Sequence, residues 1–343
     1  MAINSPIRGP VTSVLVYVGL DRVGDGLLKL PFVRGLRAAY PKARITWLAG
    51  KDTSVYAGVL KNAVAGLIDE VIERADIGLR ASDLVRRPLP GRSFDLIIDT
   101  QRVALASLAL HRIRHRAIVS PFAHFLLSSA KPSRGYRFPT GMQRQMLDLL
   151  EIATGIAHPT PGRFDLAIDP GVRASATRLL PEGPVYVGLA PGAGGAPKCW
   201  PLDKFIALAK RQVAAGRTPV FILGPAEAGW DTRLRAEVPQ AKFPLQADEI
   251  GARLGFAPEL TITLAGRLAV AVSNDSGTGH MCAVGGAPMV SLYGRTVAEK
   301  FLPMTDRLTI IRAQDFGGRE LSVIPVDAVA EAVDQTLSRP GVG

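Results

Sequence analysis

The sequence lacks the features that would assign it to several common classes. It has only two cysteines, Cys199 and Cys282, so neither a disulfide framework nor a cysteine zinc site is predicted, and a reducing compartment such as the cytoplasm is favoured. No apolar run reaches the length of a membrane span. The run from Val14 to Leu20 is broken by Asp21 and Arg22 without a small-residue cleavage site after it, so we interpret it as a buried first strand.

The overall composition is that of a globular chain with an excess of positive charge. Of its 343 residues, 47% are apolar and 21% charged, which predicts neither a disordered chain nor a membrane bundle. Lysine and arginine outnumber the acids by 41 to 30, giving a net charge of +11. Such a charge favours polyanions, phosphorylated substrates or anionic lipid surfaces, so peripheral membrane contact stays open. A generally basic composition without a dedicated partner is the alternative.

In the first half, β-branched apolar runs alternate with helical segments. The runs cover 13–20, 43–50, 69–73, 94–100 and 115–121. The first helical segment, from about Gly26 to Tyr40, has an apolar face and ends before Pro41. This alternation predicts βαβ units and a parallel sheet.

The alternation pauses between Pro159 and Pro184, which we interpret as a linker region, and then resumes. The later runs cover 185–192, 218–225, 268–275 and 287–294, and a helix at 327–337 follows. The predicted fold is α/β, with two Rossmann-like doubly wound domains, 1–170 and 171–343, facing across a cleft where ligands meet the carboxyl ends of the strands. The last helix could pack back toward the N-terminal domain.

Three glycine-rich junctions each follow a predicted strand and precede a predicted helix, at 19–31, 190–201 and 273–281. Glycine allows close backbone approach, and free amides at a helix start favour an anion. None of the junctions is a GxxxxGK[ST] loop or a strict GxGxxG segment, and turn geometry alone would also explain their glycines.

The third junction, SNDSGTGHM, carries groups suited to a diphosphate and a sugar: Asp275, Ser276, Gly277, Thr278, Gly279 and His280. The hydroxyls and backbone amides could hold the diphosphate, and Asp275 could accept hydrogen bonds from sugar hydroxyls. His280 could brace the turn or a phosphate. Alternatively, Asp275 or Ser276 caps the next helix and His280 is a satisfied buried histidine.

Three stretches together resemble glycosyltransferase family 9, whose best-known members are the lipopolysaccharide heptosyltransferases. DSGTGHMCAVGGAPMVSLYGRT (275–296) resembles the D-[ST]-G-x-x-H-x-x-A signature and the strand after it. LVYVGLDRVGDGLLKLPFVRGLRAAYPKARITWLAG (15–50) is similar to the opening strand, Gly-Asp pair and first helix. PGAGGAPKCWPLDKFIALA (191–209), followed by FILGPAE (221–227), resembles the donor loop with its Lys-x-Trp-Pro run. The resemblance spans nearly the whole chain in the family's order.

The resemblance implies a GT-B fold with an N-terminal acceptor domain and a C-terminal domain for a nucleotide-diphosphate sugar. Asp25 matches the family's acidic residue, which would take the proton of the acceptor hydroxyl as that oxygen attacks the anomeric carbon with inversion. The alternative is that Asp25 caps the first helix. Arg22 and Lys29 in the same junction are the predicted acceptor contacts.

The donor assignment adds Gly192 and Lys198 in the second junction and Glu227 near the nucleoside. No Asp-x-Asp motif, common in metal-dependent glycosyltransferases, is present. Lys198, the hydroxyls and the helix amides would then stabilise the leaving diphosphate, so neither a metal nor a cofactor is expected. ADP-heptose is the predicted co-substrate. The loop 193–196 offers only backbone where heptosyltransferases often carry hydroxyls, which leaves other nucleotide sugars open.

The predicted acceptor is an anionic glycolipid or glycan of the lipopolysaccharide core or a related envelope polymer. The basic stretch 111–116, with Arg86, Arg87 and Arg92 before it, would attract such a molecule on the cytoplasmic face of the inner membrane, or is a solvated helix end.

Two rival functions stay open. One is a nucleotide-sugar epimerase-type enzyme on the same fold, which would turn over a nucleotide sugar without an acceptor. The other is a non-catalytic polyanion-binding protein, although the scattered basic residues and the lack of an aromatic stacking pattern argue against nucleic acid as a partner.

Overall fold

A computed structural model describes residues 9–162, 165–247 and 258–339. The chain divides into two units, Met1–Pro161 (unit 1) and Gly162–Gly343 (unit 2). In the described segments, no helix is long and apolar enough to cross a membrane.

Unit 1 is built on a five-stranded parallel sheet with the order β3-β2-β1-β4-β5. The strands are β1 (Ser13–Val18), β2 (Arg44–Ala49), β3 (Glu70–Ile72), β4 (Ser93–Asp99) and β5 (Arg114–Val119). Its helices are α1 (Val23–Ala39), α2 (Ala104–Leu110) and α3 (Met142–Thr154). The strand order reverses at β1, so the carboxyl ends of β1 and β4 form the switch point at which such sheets bind ligands.

All five strands predicted in the first half are confirmed, as is the first helix, which begins three residues before the predicted start at Gly26. Residues 14–18 of β1 are buried on both faces of the sheet, which explains the continuous apolar run. Tyr17 and Ile97 pack with Ala106 and Leu110 of α2 in the core on one face.

Unit 2 contains a second parallel sheet with the order β10-β9-β8-β6-β7. The strands are β6 (Tyr186–Ala190), β7 (Thr218–Phe221), β8 (Val270–Asn274), β9 (Met289–Tyr293) and β10 (Leu308–Arg312). The described helices are α4 (Pro170–Leu179), α5 (Leu202–Ala214), α6 (Asp231–Glu237), α7 (Pro258–Ala265), α8 (Gly277–Val284) and α9 (Val326–Ser338). Helices α4, α7 and α8 contribute to the core on one face of the sheet, and α5 and α9 to the core on the other.

Two elements of unit 2 differ from the sequence interpretation. The region 159–184, interpreted as a linker, contains helix α4, which is capped by Asp169: its Oδ1 accepts hydrogen bonds from the Gly171 N–H at 2.7 Å and the Val172 N–H at 3.3 Å. Pro170 is the first residue of α4, where the missing N–H costs nothing, so a Pro-Gly pair that predicted a loop begins a helix instead. Strand β10 was not predicted, and the predicted last helix, α9, packs on α5 and on the sheet of unit 2.

Candidate functional site

In unit 2, the loops that follow β6, β7 and β8 lie at one edge of the sheet. These strands are neighbours and parallel, so their carboxyl ends meet there. The second glycine-rich junction (190–201) follows β6, and the third (273–281) begins at the end of β8. The turn from Gly224 to Glu227 begins three residues after the end of β7. Sequence elements that are up to about 85 residues apart are therefore brought to one place by the sheet order alone.

The first contact at this edge joins Gly192 to Glu227. A Cβ atom added at Gly192 would lie 2.4 Å from Cδ of Glu227, so a larger residue would have to displace this carboxylate. Glu227 Oε2 accepts a hydrogen bond from the Gly224 N–H at 3.1 Å, which fixes the carboxylate. Burial, and after it the negative charge of Glu227, raise the pKa of the nearby Cys199 thiol.

Asn274, the last residue of β8, joins the second and third junctions. Its Oδ1 accepts a hydrogen bond from the Trp200 N–H at 3.0 Å, and its Nδ2 donates to the Pro191 carbonyl at 2.7 Å. The side chain is fully buried, so both bonds are shielded from water. Asn274 was not predicted as a site residue, although its place at the end of a buried apolar run, directly before Asp275, indicated one.

Lys198 and Asp275 lie next to each other across the same two junctions. Lys198 Nζ is 3.4 Å from Asp275 Oδ2, and the lysine side chain is 50% exposed while that of Asp275 is 11% exposed. A lysine ammonium on this half-exposed turn is therefore available to an anion from solvent.

Helix α8 begins directly after these residues and presents its amino end at the same edge. Ser276 is the N-cap, and its Oγ accepts a hydrogen bond from the Gly279 N–H at 3.2 Å. The capping alternative is therefore correct for Ser276, whose hydroxyl hydrogen remains able to donate. Gly277 and Thr278 form the first turn and are half-buried, and the amides of a first turn have no intrahelical partner. A helix start of this kind favours an anion.

His280 is buried in α8, with 5% exposure. Burial lowers the pKa of its imidazole to about 4, against a smaller opposing effect of the Asp275 charge, so the ring is neutral at pH 7. Its Nδ1 and the Oγ of Ser273 are buried atoms without a hydrogen-bond partner among the described residues. An unpartnered buried polar atom is costly unless a ligand or water satisfies it, so a water molecule in the core and a bound ligand are the two possible partners of the His280 Nδ1.

In unit 1, Asp25 lies in the first turn of α1, and it is partly exposed at the carboxyl end of β1. Its carboxylate accepts a hydrogen bond from the Arg22 backbone N–H, so it does contribute to the helix start. Burial raises the pKa of Asp25, while Lys29 opposes that rise and Asp21 adds to it.

The two predicted acceptor residues differ in exposure. Arg22 is exposed, whereas the side chain of Lys29 is only 5% exposed and forms an ion pair with Asp21. Asp21 also accepts hydrogen bonds from Trp47 Nε1 at 2.7 Å and from Ser54 Oγ at 2.9 Å. This network was not predicted from the sequence, although a lysine among the leucines of α1 indicated a buried partner for its charge.

Within the described ranges, no three His, Cys, Asp or Glu side chains are grouped so that they could hold a metal ion. At the edge of unit 2, the groups able to bind an anion are a lysine, hydroxyls and backbone amides.

Two parallel sheets with glycine-rich turns at their carboxyl edges are typical of the GT-B fold of glycosyltransferases. Residues 84–322 match the family model described as glycosyltransferase family 9 (heptosyltransferase). The chain is 31% identical over 319 residues to the lipooligosaccharide heptosyltransferase 2 of Haemophilus influenzae, an alignment that covers 87% of this chain and 88% of that protein. The chain therefore belongs to glycosyltransferase family 9 and is a glycosyltransferase.

Solved structures show the same fold. The glycosyl transferase family 9 protein from Veillonella parvula matches with a TM-score of 0.72 and 19% identity, over 97% of this chain and 99% of that one. The E. coli ADP-heptose lps heptosyltransferase II matches with a TM-score of 0.62 and 22% identity, over 95% and 98% of the two chains. The GT-B fold predicted from the sequence is confirmed.

Proposed function

We propose that this protein transfers a heptose from ADP-heptose to a growing lipopolysaccharide core or related envelope glycan, with inversion and without a metal ion. The observation that carries the proposal is the edge of unit 2, where Lys198 and the amino end of α8 lie beside the carboxylate of Asp275. The family relationship supports the reaction class. The relatives, a lipooligosaccharide heptosyltransferase 2 and an ADP-heptose lps heptosyltransferase II, support the donor and acceptor classes.

The donor's diphosphate would bind to Lys198, the amides of Gly277 and Thr278, and the two hydroxyls of that turn, while the Gly279 N–H stays bonded to Ser276 Oγ. As the bond to the anomeric carbon breaks, negative charge grows on this diphosphate, and preorganised positive groups stabilise it. His280, neutral at pH 7, would donate or accept a hydrogen bond rather than supply a charge.

The other side chains assigned to the nucleotide sugar are carboxylates, which accept hydrogen bonds from hydroxyls and repel phosphates. Glu227, held against Gly192, would accept hydrogen bonds from the ribose, and Asp275 would accept them from the transferred sugar. These assignments place the donor in the C-terminal domain, 171–343.

The acceptor is assigned to the N-terminal domain, 1–170, with Asp25 as general base. A carboxylate whose pKa is raised by burial accepts a proton more readily than a solvated one. Arg22 is exposed and can meet an anionic acceptor, whereas contact with Lys29 requires its ammonium to leave Asp21.

The donor is tested by thermal shift with ADP, UDP, GDP and CDP and their sugars. A selective rise in melting temperature with ADP species is expected, because a ligand stabilises the state that it binds. The rise should weaken in Lys198→Ala and persist in Lys210→Ala, which removes another exposed, carboxylate-paired lysine of unit 2. A preference for another nucleotide would change the donor, and no shift with any would contradict the donor assignment.

The reaction is tested by ADP release in the presence and absence of acceptor. Release that requires the acceptor and fails in Asp25→Asn supports glycosyl transfer with this base. Conversion of the nucleotide sugar without acceptor would favour the epimerase-type alternative.

We also propose a peripheral contact with the anionic cytoplasmic face of the inner membrane. Part of the predicted basic stretch is neutralised, since Arg92 pairs with Glu70 and Arg116 with Asp95. The segment over α2 instead combines exposed apolar side chains with arginines: Leu79, Arg80, Leu84, Val85, Arg86 and, on α2, Leu108. Anionic lipid attracts such a surface, and its apolar groups can enter the headgroup region.

Cosedimentation with vesicles tests this contact. Binding to vesicles containing 30% phosphatidylglycerol should exceed binding to neutral phosphatidylcholine vesicles, fall with added salt, and weaken in Val85→Asp. Equal binding to both vesicle types, or none, contradicts the membrane proposal while leaving the transferase proposal intact.

A further inference from the structure

A buried ion pair lies at the start of α1, between Asp21 and Lys29. Their side chains are 0% and 5% exposed, respectively. Trp47 and Ser54, themselves buried, donate to the Asp21 carboxylate at 2.7 Å and 2.9 Å and fix its position. Burying two charges costs several kcal/mol of desolvation, so a pair of this kind is weak evidence for a stabilising role.

The pair is adjacent to Asp25. Lys29 follows Asp25 by four residues in α1, so the two side chains lie on one face of the helix. Asp25 also accepts the Arg22 backbone N–H, which places its carboxylate at the helix start. The 51–60 segment covers the same turn, because Tyr56 donates its hydroxyl to the Gly26 carbonyl at 2.7 Å.

Four titratable or charged groups surround Asp25 from these elements. Lys29 exerts the largest charge effect and lowers the pKa of Asp25, Asp21 raises it by less, and the Arg22 guanidinium lowers it. Burial, and after it the Asp21 charge, raise the pKa of Tyr56 well above its usual value, so its hydroxyl stays neutral and adds no charge. The net effect of the Asp21–Lys29 pair on Asp25 is therefore that of a positive charge.

We propose that the Asp21–Lys29 pair is a positioning device for the general base: Asp21 holds the Lys29 ammonium one helical turn from Asp25, on the same face of α1, where its positive charge attracts the Asp25 carboxylate. Lys29 is then a positioning residue. The proposal deepens the proposed function and rests on it for the catalytic role of Asp25.

The test is the titration of Asp25 itself, followed by NMR of protein carrying ¹³C at the aspartate side-chain carboxyl carbons, with the Asp25 signal assigned from Asp25→Asn. The pKa of Asp25 should be highest in Lys29→Met, which leaves the repulsive Asp21 behind. It should be intermediate in the double variant Asp21→Asn/Lys29→Met and lowest in the wild type. Lys61→Met, which removes an exposed lysine of unit 1, should leave the titration unchanged.

The double variant also protects the test from a folding failure, because it leaves no unpaired buried charge. Equal Asp25 titration in the wild type and in the folded double variant overturns the proposal. Since this readout needs no turnover, it is independent of whether the transferase assignment is correct. In the active enzyme, the pKa of the acidic limb of the kcat/KM profile should rise from the wild type to the double variant to Lys29→Met, with the donor KM unchanged. A uniform loss of kcat at all pH values would indicate a merely structural role.

Discussion

Replacing His280 by glutamine should make unit 2 less sensitive to acid. The pKa of His280 is about 4 in the folded protein, because of burial, and near 6.5 in an unfolded chain. Between these values the unfolded chain binds a proton that the folded protein does not, so the free energy of unfolding falls as the pH falls from 6.5 to 4. The interval of about 2.5 units corresponds to about 3 kcal/mol, most of which has developed by pH 4.5.

The assay is urea unfolding at pH 7 and pH 4.5, followed by tryptophan fluorescence in a Trp47→Phe background, so that Trp200 and Trp230 report unit 2. His280→Gln should lose about 2 kcal/mol less than its parent between the two pH values. The matched control His124→Gln, at an exposed histidine of unit 1, should leave the difference unchanged. A His280→Gln protein with the parent's full acid sensitivity would refute the argument that the imidazole is buried in its neutral form.

Three further substitutions test the edge of unit 2. Gly192→Ala should displace the Glu227 carboxylate and weaken ADP binding, measured by calorimetry, by about 1–3 kcal/mol. The control Gly229→Ala should bind ADP normally, because no atom lies within 4 Å of the added Cβ. Equal ADP binding by both variants would contradict the close approach of Gly192 and Glu227. Asn274→Ala should lower the free energy of unfolding by about 2 kcal/mol, because two buried backbone groups lose their partner, and unchanged denaturation midpoints would contradict this. Ser276→Ala should cost about 1 kcal/mol in the same assay through the lost helix cap, and a neutral result would show that the cap contributes nothing.

Most strands of both sheets could be predicted, because parallel strands that are buried on both faces appear as continuous apolar runs. Strand β8 and strand β9 are buried along their whole lengths, and both were predicted. Strand β10 lies at the edge of its sheet, and four of its five residues are only half-buried, which leaves a weaker pattern. Helix α4 was missed because its start, Pro170-Gly171, carries the residues of a turn, and only the Asp169 cap distinguishes it.

The candidate site could be predicted only where its chemistry lies in one short segment. The 273–281 junction shows its strand, cap and helix start in consecutive residues. The role of Asn274 depends on β6 lying beside β8, and the burial of Lys29 depends on Trp47 and Ser54 of other segments. Side-chain partners of this kind follow from sheet order and tertiary packing, which a single sequence does not specify.

The two lysines near the proposed reaction groups differ in a way that matches their proposed roles. Lys198 is half-exposed and 3.4 Å from Asp275, and exposed pairs of this kind are worth about 1 kcal/mol or less, so an anion can engage and leave this lysine at each turnover. Lys29 is buried against Asp21, and breaking a buried pair leaves an uncompensated charge at a cost of about 3–5 kcal/mol. A charge held so firmly is unsuited to repeated capture and release of an acceptor. The Lys29 ammonium is instead suited to act as a fixed positive charge beside Asp25, and a general base needs such a constant environment through the whole catalytic cycle.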